Sequence, residues 1–242
     1  MLVQKEKEII QREQAYWSNI DDFKYLTDIS IDQILSKLPQ PKGDILELFS
    51  GSGMFSERFE NSYETLTCCD ISGALLDKLK IKMPHVETLH GNIYDLDLPN
   101  EAYDQIFVFA GLHHVPKYEI VLKKCASWLK PGGAIITFEP NARCWFRLPM
   151  LPFRGLFKVH TSDEVFLDPL EVRKHMQTLN LYCPEISYFN PETIPYHSNS
   201  MNKALTKAMF VAGGLASGIL FSPWFSLVAE KTRIEPAVGI KG

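Results

Sequence analysis

The stretch DILELFSGSG, residues 44–53, holds the first signals of the fold. Its first six residues predict a buried strand, and Gly51 and Gly53 predict a tight turn that opens a helix over Met54–Glu60. From here to Glu139, apolar runs alternate with helical patterns, as they do in βαβ units. Because several of these runs are continuously apolar, we expect an open, doubly wound parallel sheet with helices on both faces.

The elements around this alternation follow from local signals. A helix near residues 31–38 is expected to begin with Ser30 as its N-cap, and Asp168 followed by Pro169 predicts another helix start. Further strands are predicted at about Tyr182–Tyr188 and at Trp224–Glu230.

Composition narrows the classes of function. The 242 residues carry 25 Lys and Arg against 29 Asp and Glu, which gives a formal net charge of −4. A protein that binds nucleic acid through many phosphate contacts is usually basic, so we expect no nucleic-acid partner. The five cysteines have no metal-ligand spacing and the first residues have no apolar signal core, so we expect no metal site, no disulfide framework and a cytoplasmic protein.

Acidic residues mark the strand ends, where doubly wound sheets bind ligands. Glu47 lies four residues before Gly51, and Asp70 ends the next predicted strand, where an acid can bind ribose hydroxyls. Ser56 stands where a dinucleotide fingerprint has its third glycine. A carboxylate beside the turn repels phosphate but suits an ammonium group, which favours S-adenosylmethionine, a nucleoside with an amino-acid tail and no phosphate.

Further motifs follow in order along the chain. They are Asp70-Ile71, GNI at 91–93, FAGLHHV at 109–115 and LKPGG at 129–133. With the turn at 47–53, they resemble the class I S-adenosylmethionine-dependent methyltransferases, particularly their small-molecule branch. The resemblance covers 44–139, and FSLVAEK at 225–231 is similar to the last strand of that family.

The resemblance implies a fold and a division of the chain. It implies a Rossmann-like, mostly parallel seven-stranded sheet with an antiparallel last strand. We expect a single methyltransferase domain over 1–242, divided as follows: an N-terminal helical cap at 1–40, a cofactor-binding core at 44–139, substrate-side loops and helices at 140–223, and the last strand at 224–231.

The resemblance also implies a cofactor site for S-adenosyl-L-methionine, with S-adenosyl-L-homocysteine as the product. Phe49 departs from the family, which has its first glycine there, and Asn92 replaces the usual Asp while keeping an acceptor oxygen for the adenine amino group. The predicted cofactor-binding residues are Glu47, Phe49, Gly51, Ser52, Gly53, Asp70, Ile71, Asn92, Ile93 and Ala110.

Structural alternatives stand beside these roles. Glu47 is alternatively a strand carboxylate paired with a Lys or Arg, Asp70 a helix N-cap, and Asn92 a plain turn residue. His113 and His114 are the candidate catalytic bases, because imidazole titrates near neutral pH; alternatively they cap or pack the next helix. His160 and His197 lie on predicted loops and are rival bases.

Three other segments bear on the substrate. Tyr16 and Trp17 end the predicted N-terminal helix, either as core aromatics or as a lid over the cofactor. The loop at 143–154 is rich in Arg and aromatic residues, which suits an aromatic or anionic acceptor or a packed loop. The uncharged run Ala208–Ala229 contains several Gly and one Pro, which disfavours a membrane span; we expect a pocket cover, with an interfacial helix as the alternative.

The predicted function is methyl transfer to a small-molecule acceptor, with an oxygen nucleophile. The alternatives are a catalytically silent binding protein and a methyltransferase that acts on a lipid-linked acceptor at the membrane surface. An oxidoreductase on a similar sheet is disfavoured by Glu47 and Ser56. The sequence leaves the oligomeric state open.

Overall fold

The computed structural model describes residues 4–18, 26–59, 63–144, 165, 167–189 and 224–232. The α-helices within these ranges are α1 (Gln4–Ser18), α2 (Asp28–Leu35), α3 (Gly73–Lys82), α4 (Tyr118–Trp128) and α5 (Pro169–Thr178). The strands are β1 (Gly43–Leu48), β2 (Tyr63–Asp70), β3 (Glu87–His90), β4 (Tyr103–Phe109), β5 (Leu129–Pro140), β6 (Leu181–Tyr182), β7 (Ile186–Phe189) and β8 (Trp224–Lys231).

The strands form one mostly parallel sheet. Its order is β3-β2-β1-β4-β5-β8-β6, and β7 also pairs with β8. Strands β1 to β5 pair in parallel, whereas β8 runs antiparallel to β5, β6 and β7. The predicted doubly wound sheet with an antiparallel last strand is confirmed.

The strand count differs from the predicted seven. The single strand expected at Tyr182–Tyr188 is two strands, β6 and β7, which pair with successive parts of β8 on its outer edge. Pro184 lies between them and has no N–H to donate to a ladder. The described sheet therefore has eight strands in seven positions.

The sheet is covered on both faces, as the apolar runs predict. Ile45 and Leu46 are neighbours on β1, yet they lie in different hydrophobic clusters because successive side chains point to opposite faces. One cluster includes α4 and α5, and the other includes α2 and α3. Their helical members include Val121, Leu122, Val172 and Met176 in the first cluster, and Ile31, Ile34 and Leu79 in the second.

Two of the predicted helix starts have different outcomes. Asp168 is the N-cap of α5, and its side chain accepts from the Leu170 N–H, as expected. The prediction that Ser30 caps α2 is wrong. Thr27 is the cap, and its side chain accepts from the N–H of Ser30, which lies buried inside the helix.

The helix predicted over Met54–Glu60 is also wrong within the described residues. Turns lead into a single 3-10 turn at Ser56–Arg58. The N–H groups of Arg58 and Phe59 bond three residues back, and the Ser56 hydroxyl donates to Glu47 on β1. This side-chain bond holds the segment against the strand and competes with regular helix.

No helix in the described part of the chain is long and apolar enough to cross a bilayer. Of the uncharged run Ala208–Ala229, only the residues in β8 are described. The pocket cover and interfacial helix expected before β8 therefore lie outside the described residues, as do the rival bases His160 and His197. All five cysteines are buried free thiols.

Candidate active site

The candidate site lies where the parallel strands end. The carboxyl ends of β1, β2 and β4 are neighbours in the sheet, and β5 ends beside β4. This edge brings together the turn after β1, Asp70, the histidine pair after β4 and Glu139. The topology thus assembles residues that are up to about ninety positions apart along the chain.

The turn after β1 has an open backbone. Gly51 and Gly53 have φ values of +55° and +89°, which glycine adopts without a steric penalty. A Cβ added at Gly51 would meet only Leu75 Cδ1, at 4.0 Å. The side of Gly51 that lacks a side chain therefore leaves room for a ligand to approach the main chain.

Asp70 ties this turn to the end of β2. Its carboxylate accepts from the N–H of Gly51 at 2.8 Å and from the N–H of Ser72 at 2.8 Å. The residue is 8% exposed, and burial raises the pKa of its carboxyl. The N-cap of α3 is Ser72, so the helix-cap interpretation of Asp70 does not apply.

Glu47 is buried beside the same turn. The residue is 1% exposed, and its carboxyl accepts from the Ser56 hydroxyl and lies 3.8 Å from Cys68 Sγ. Desolvation raises the pKa of Glu47 to about 8. Among the described residues, the side chains that act on its pKa are those of Ser56, Cys68 and Asp70 and include no Lys or Arg, so the alternative of a paired strand carboxylate finds no support there.

The burial of Glu47 changes the charge that the sequence leads us to expect for it. A carboxyl with a pKa of about 8 is mostly protonated at neutral pH unless a cation approaches it. Glu47 therefore presents a standing negative charge only when a cationic group compensates for its desolvation.

The residues predicted to lie beside the adenine are found partly in a turn and partly in the core. Asn92 Oδ1 accepts from the N–H of Tyr94 at 3.1 Å, which is the turn role considered for it. Ile93 packs into the core, whereas Ile71 is half-buried and its carbonyl lies 3.1 Å from His90 Nε2. Of these three, Ile71 and Asn92 are partly exposed, and Ile71 directly follows Asp70 in the chain.

Two non-glycine residues adopt left-handed backbone at neighbouring strand ends. Phe49 follows β1 with φ 58°, and Ala110 follows β4 with φ 49°. A Cβ placed on Gly111 would lie 2.1 Å from Phe49 Cδ2, so the ring packs directly on the Gly111 backbone. Strained backbone of this kind clusters at functional sites.

The histidine pair after β4 has a buried partner. His113 Nδ1 lies 2.8 Å from Glu139 Oε2, while Glu139 Oε1 accepts from the N–H groups of Gly111 and Leu112, each at 2.9 Å. Burial raises the pKa of Glu139, and the backbone N–H bonds from Leu112 and Gly111 oppose that shift. The sequence interpretation missed Glu139 as a site residue, although an acid at the end of the apolar run AIITFE was an available signal.

His114 faces the N-terminal helix. Its ring is 4.0 Å from that of His113 and 5.2 Å from that of Trp17, in an edge-on contact. The Ser72 hydroxyl donates to the Trp17 carbonyl at 3.3 Å. The end of α1 therefore lies over this edge of the sheet, while Tyr16 is exposed and stacks edge-on against Trp17.

Most of the predicted substrate loop lies outside the described residues. Arg143 is described, and its guanidinium binds the Asp168 carboxylate, with Nε 2.7 Å from each oxygen. The pair is on the surface and anchors the start of α5. Within the described ranges, no group of three or more His, Cys, Asp or Glu residues is arranged to hold a metal ion.

The described residues fit S-adenosylmethionine. The turn at Gly51 leaves room beside its backbone, Asp70 places an acid at the end of β2, and Ile71 adds a partly exposed apolar side chain. Hydroxyl donors, an ammonium group and an adenine ring are the partners that this set of residues can bind.

Sequence comparison identifies a known domain. Residues 46–137 match the model of a methyltransferase domain family. Demethylmenaquinone methyltransferase from Bacillus licheniformis is 35% identical over 68 residues, which is 28% of this chain and 29% of that protein. The enzyme of the same name from Lysinibacillus sphaericus is 38% identical over 58 residues, 24% of this chain and 25% of that protein. The matches span less than a third of these relatives' lengths.

Solved structures share the fold over most of the chain. Geranyl diphosphate C-methyltransferase from Streptomyces coelicolor, in complex with Mg²⁺, geranyl diphosphate and S-adenosyl-L-homocysteine, has a TM-score of 0.67 at 13% identity, covering 95% of this chain and 98% of that one. A Haloferax volcanii complex of the Trm112 methyltransferase activator with a methyltransferase gives 0.66 at 14% identity, covering 97% of this chain and all of the matched chain. Residues 46–137 thus match a methyltransferase domain, and the fold is the one that solved methyltransferases share.

Proposed function

We propose that this protein transfers the methyl group of S-adenosylmethionine to an oxygen atom of a small-molecule acceptor. The observation that carries the proposal is the buried Asp70 carboxylate, which joins the end of β2 to the backbone of the glycine turn at 2.8 Å. An acid in this position, beside a turn with room for a ligand, is suited to a nucleoside that carries no phosphate.

Each part of the cofactor has a candidate site. We assign Gly51, Ser52 and Gly53 to the methionine part, Asp70 to the ribose and Ile71 to the adenine, with Asn92 and Ile93 behind them. Phe49 and Ala110 line the two strand ends between these parts. Glu47 supports the turn from within the core through Ser56. When bound, S-adenosylmethionine supplies a methyl group that is already activated on sulfur.

The protein's remaining task is to position the acceptor and remove its proton. Positioning alone can lower a barrier by roughly 7–11 kcal/mol. His113 is the base that we assign, because its ring nitrogen already bonds a buried carboxylate at the site edge. His114 lies against it and against Trp17, which suits a residue of the acceptor wall.

Calorimetric titration with S-adenosylmethionine tests the cofactor assignment. Asp70→Ala should weaken binding about 100-fold, which corresponds to about 2.7 kcal/mol. Asp77→Ala is the matched control, since it removes an exposed aspartate from α3 and should leave the affinity unchanged. Equal affinity of the Asp70→Ala protein and the unmodified protein would contradict the proposal.

A second candidate function is favoured by the relatives' names. Demethylmenaquinone methyltransferases act on demethylmenaquinone, so a lipid-linked acceptor is the alternative to a water-soluble one. Release of S-adenosylhomocysteine should be measured with phenols and catechols and, in parallel, with naphthoquinols in detergent. Turnover only with the naphthoquinols would favour the lipid acceptor. Tight cofactor binding without turnover on either set would favour a silent binding protein.

A further inference from the structure

We propose that Glu139 is a positioning residue that keeps a proton on His113 Nδ1, so that Nε2 is the nitrogen that receives the acceptor's proton. The inference rests on the proposed function for its catalytic consequence. The tautomer that it assigns can be measured on the protein alone.

The first support is the set of groups around the Glu139 carboxylate. Oε1 accepts two backbone N–H bonds, from Gly111 and Leu112, and Oε2 faces His113 Nδ1 at 2.8 Å. Two of these three neighbours can only donate. One proton lies between Oε2 and Nδ1, and we place it on Nδ1, because the ionised carboxylate then accepts all three contacts and the two backbone N–H groups stabilise its charge.

The second support is burial. Glu139 is fully buried, and His113 is 8% exposed. A buried ionised group is costly unless hydrogen bonds compensate for the lost water. No Lys or Arg of the described residues pairs with Glu139, whereas His113 contacts its carboxyl directly and His114 lies close enough to favour its charged form.

The sheet holds this geometry rigidly. β4 and β5 pair in register up to Phe109 and Phe138, and the Ala110 N–H continues the pairing to the Phe138 carbonyl at 2.7 Å. Glu139 is the next residue of β5, so it meets the loop that carries His113. A base supported from a neighbouring strand has less freedom to rotate than one on an isolated loop.

With Nδ1 protonated, His113 can take up the proton of the acceptor hydroxyl at Nε2. The acceptor O–H gives its proton to His113 Nε2, the oxygen electron pair forms the bond to the methyl carbon, and the pair of the broken C–S bond stays on sulfur. The imidazolium that results keeps its Nδ1–H bond to Glu139, whose negative charge stabilises it. Proton transfer to His113 suits an acceptor whose hydroxyl is acidic enough to lose a proton to imidazole, such as a phenol or an enol.

Nitrogen-15 NMR of the histidine rings tests the tautomer directly. In the unmodified protein, neutral His113 should carry its proton on Nδ1; its signals are assigned as those missing from His113→Asn. Finding the proton on Nε2 in the unmodified protein overturns the proposal without any variant of Glu139.

The Glu139→Gln variant tests whether Glu139 sets the tautomer of His113. The amide carbonyl can still accept from Gly111 and Leu112, but its NH₂ then faces Nδ1 and demands an acceptor there. We expect the proton to move to Nε2 and kcat to fall by roughly 10²–10⁴, with the affinity for S-adenosylmethionine within about threefold. A retained Nδ1–H form overturns the inference. Glu230→Gln, at an exposed position on β8, is the control and should leave the tautomer unchanged.

The variant His113→Asn separates the role of the base from the packing of its ring. It places a donor near the position of Nδ1 and has no Nε2. His113→Asn should keep the stability and lose turnover, and full turnover in this variant would contradict the assigned base. If the unmodified protein binds no S-adenosylmethionine, the proposed function fails while the tautomer result still stands or falls by itself.

Discussion

Carboxyl side chains lie at both edges of this sheet, but in opposite surroundings. At the amino ends of the strands, Asp44 and Asp104 share Lys130 at 2.8 and 2.7 Å, with all three side chains about one-third exposed. At the carboxyl ends, Asp70 and Glu139 are buried and bond mainly to backbone N–H groups.

The pKa directions follow from these surroundings. Lys130 lowers the pKa of Asp44 and Asp104, because an adjacent cation favours the charged form. Burial raises the pKa of Asp70 and Glu139, since their neighbours compensate for the lost water only in part. The amino edge therefore favours the charged form of its carboxyls, and the carboxyl edge disfavours it, as is common for acids at functional sites.

The largest expected effect comes from removing a buried acid beside the carboxyl edge. The folded pKa of Glu47, about 8, exceeds its ordinary value of 4.5, so folding favours the protonated form. Its contribution is complete below about pH 4.5 and is lost as the pH rises towards 8. Glu47→Gln should remove this loss, which is on the order of 4 kcal/mol by pH 8.

Urea denaturation at pH 5 and pH 8 measures this difference. The free energy of unfolding of Glu47→Gln, relative to the unmodified protein, should rise between the two pH values. Glu64→Gln changes an exposed glutamate on β2 and serves as the control. A parallel pH dependence in the unmodified protein and Glu47→Gln would show that burial does not control this carboxyl.

A steric change at the carboxyl edge should have the next largest effect. Gly111→Ala places a Cβ 2.1 Å from the Phe49 ring, so the chain must shift, and we expect a loss of roughly 2–3 kcal/mol in unfolding free energy. Adding Phe49→Gly removes the clash and places glycine where φ is 58°. The double variant should therefore recover much of the loss.

Gly73 provides the matched control for adding a Cβ at Gly111. Gly73→Ala in the first turn of α3 brings its Cβ no closer than 3.4 Å to His90, so it should be neutral or stabilising. If Phe49→Gly fails to restore the stability of Gly111→Ala, the packing of the ring on the loop is not the cause.

The smallest expected effect is at the amino edge. Lys130→Met should lower the unfolding free energy by about 1 kcal/mol near neutral pH, because the pairs are partly exposed. Asp44 and Asp104 have lowered pKa values, so their stabilisation is present above about pH 4 and is lost as the pH falls.

The pH trend of the Lys130 effect is thus opposite to that of Glu47. The difference between Lys130→Met and the unmodified protein should shrink at pH 3 and at high salt, as denaturant titrations can show. The control is Lys78→Met, which removes a lysine from α3 instead. An effect that is insensitive to both pH and salt would mean that the Lys130 side chain acts by packing alone.

The sequence alone determined most of the succession of strands and helices and indicated the edge of the sheet where the candidate site lies. Continuous apolar runs fit a strand buried on both faces, and Asp168 with Pro169 starts a helix through local bonds, so both are readable from neighbours along the chain. The resemblance at residues 47–53 pointed to the same edge. Local signals were less reliable where side chains compete for the backbone, as at Ser30 and Ser56.

Only the tertiary structure decided which side chains meet at that edge. Glu139 and His113 are 26 residues apart, and they touch because β5 lies beside β4. The packing of Phe49 on Gly111 joins two strand ends in the same way. Contacts of this kind depend on strand order and register, and the hydrophobic pattern along one strand sets its buried face but not which strand lies beside it.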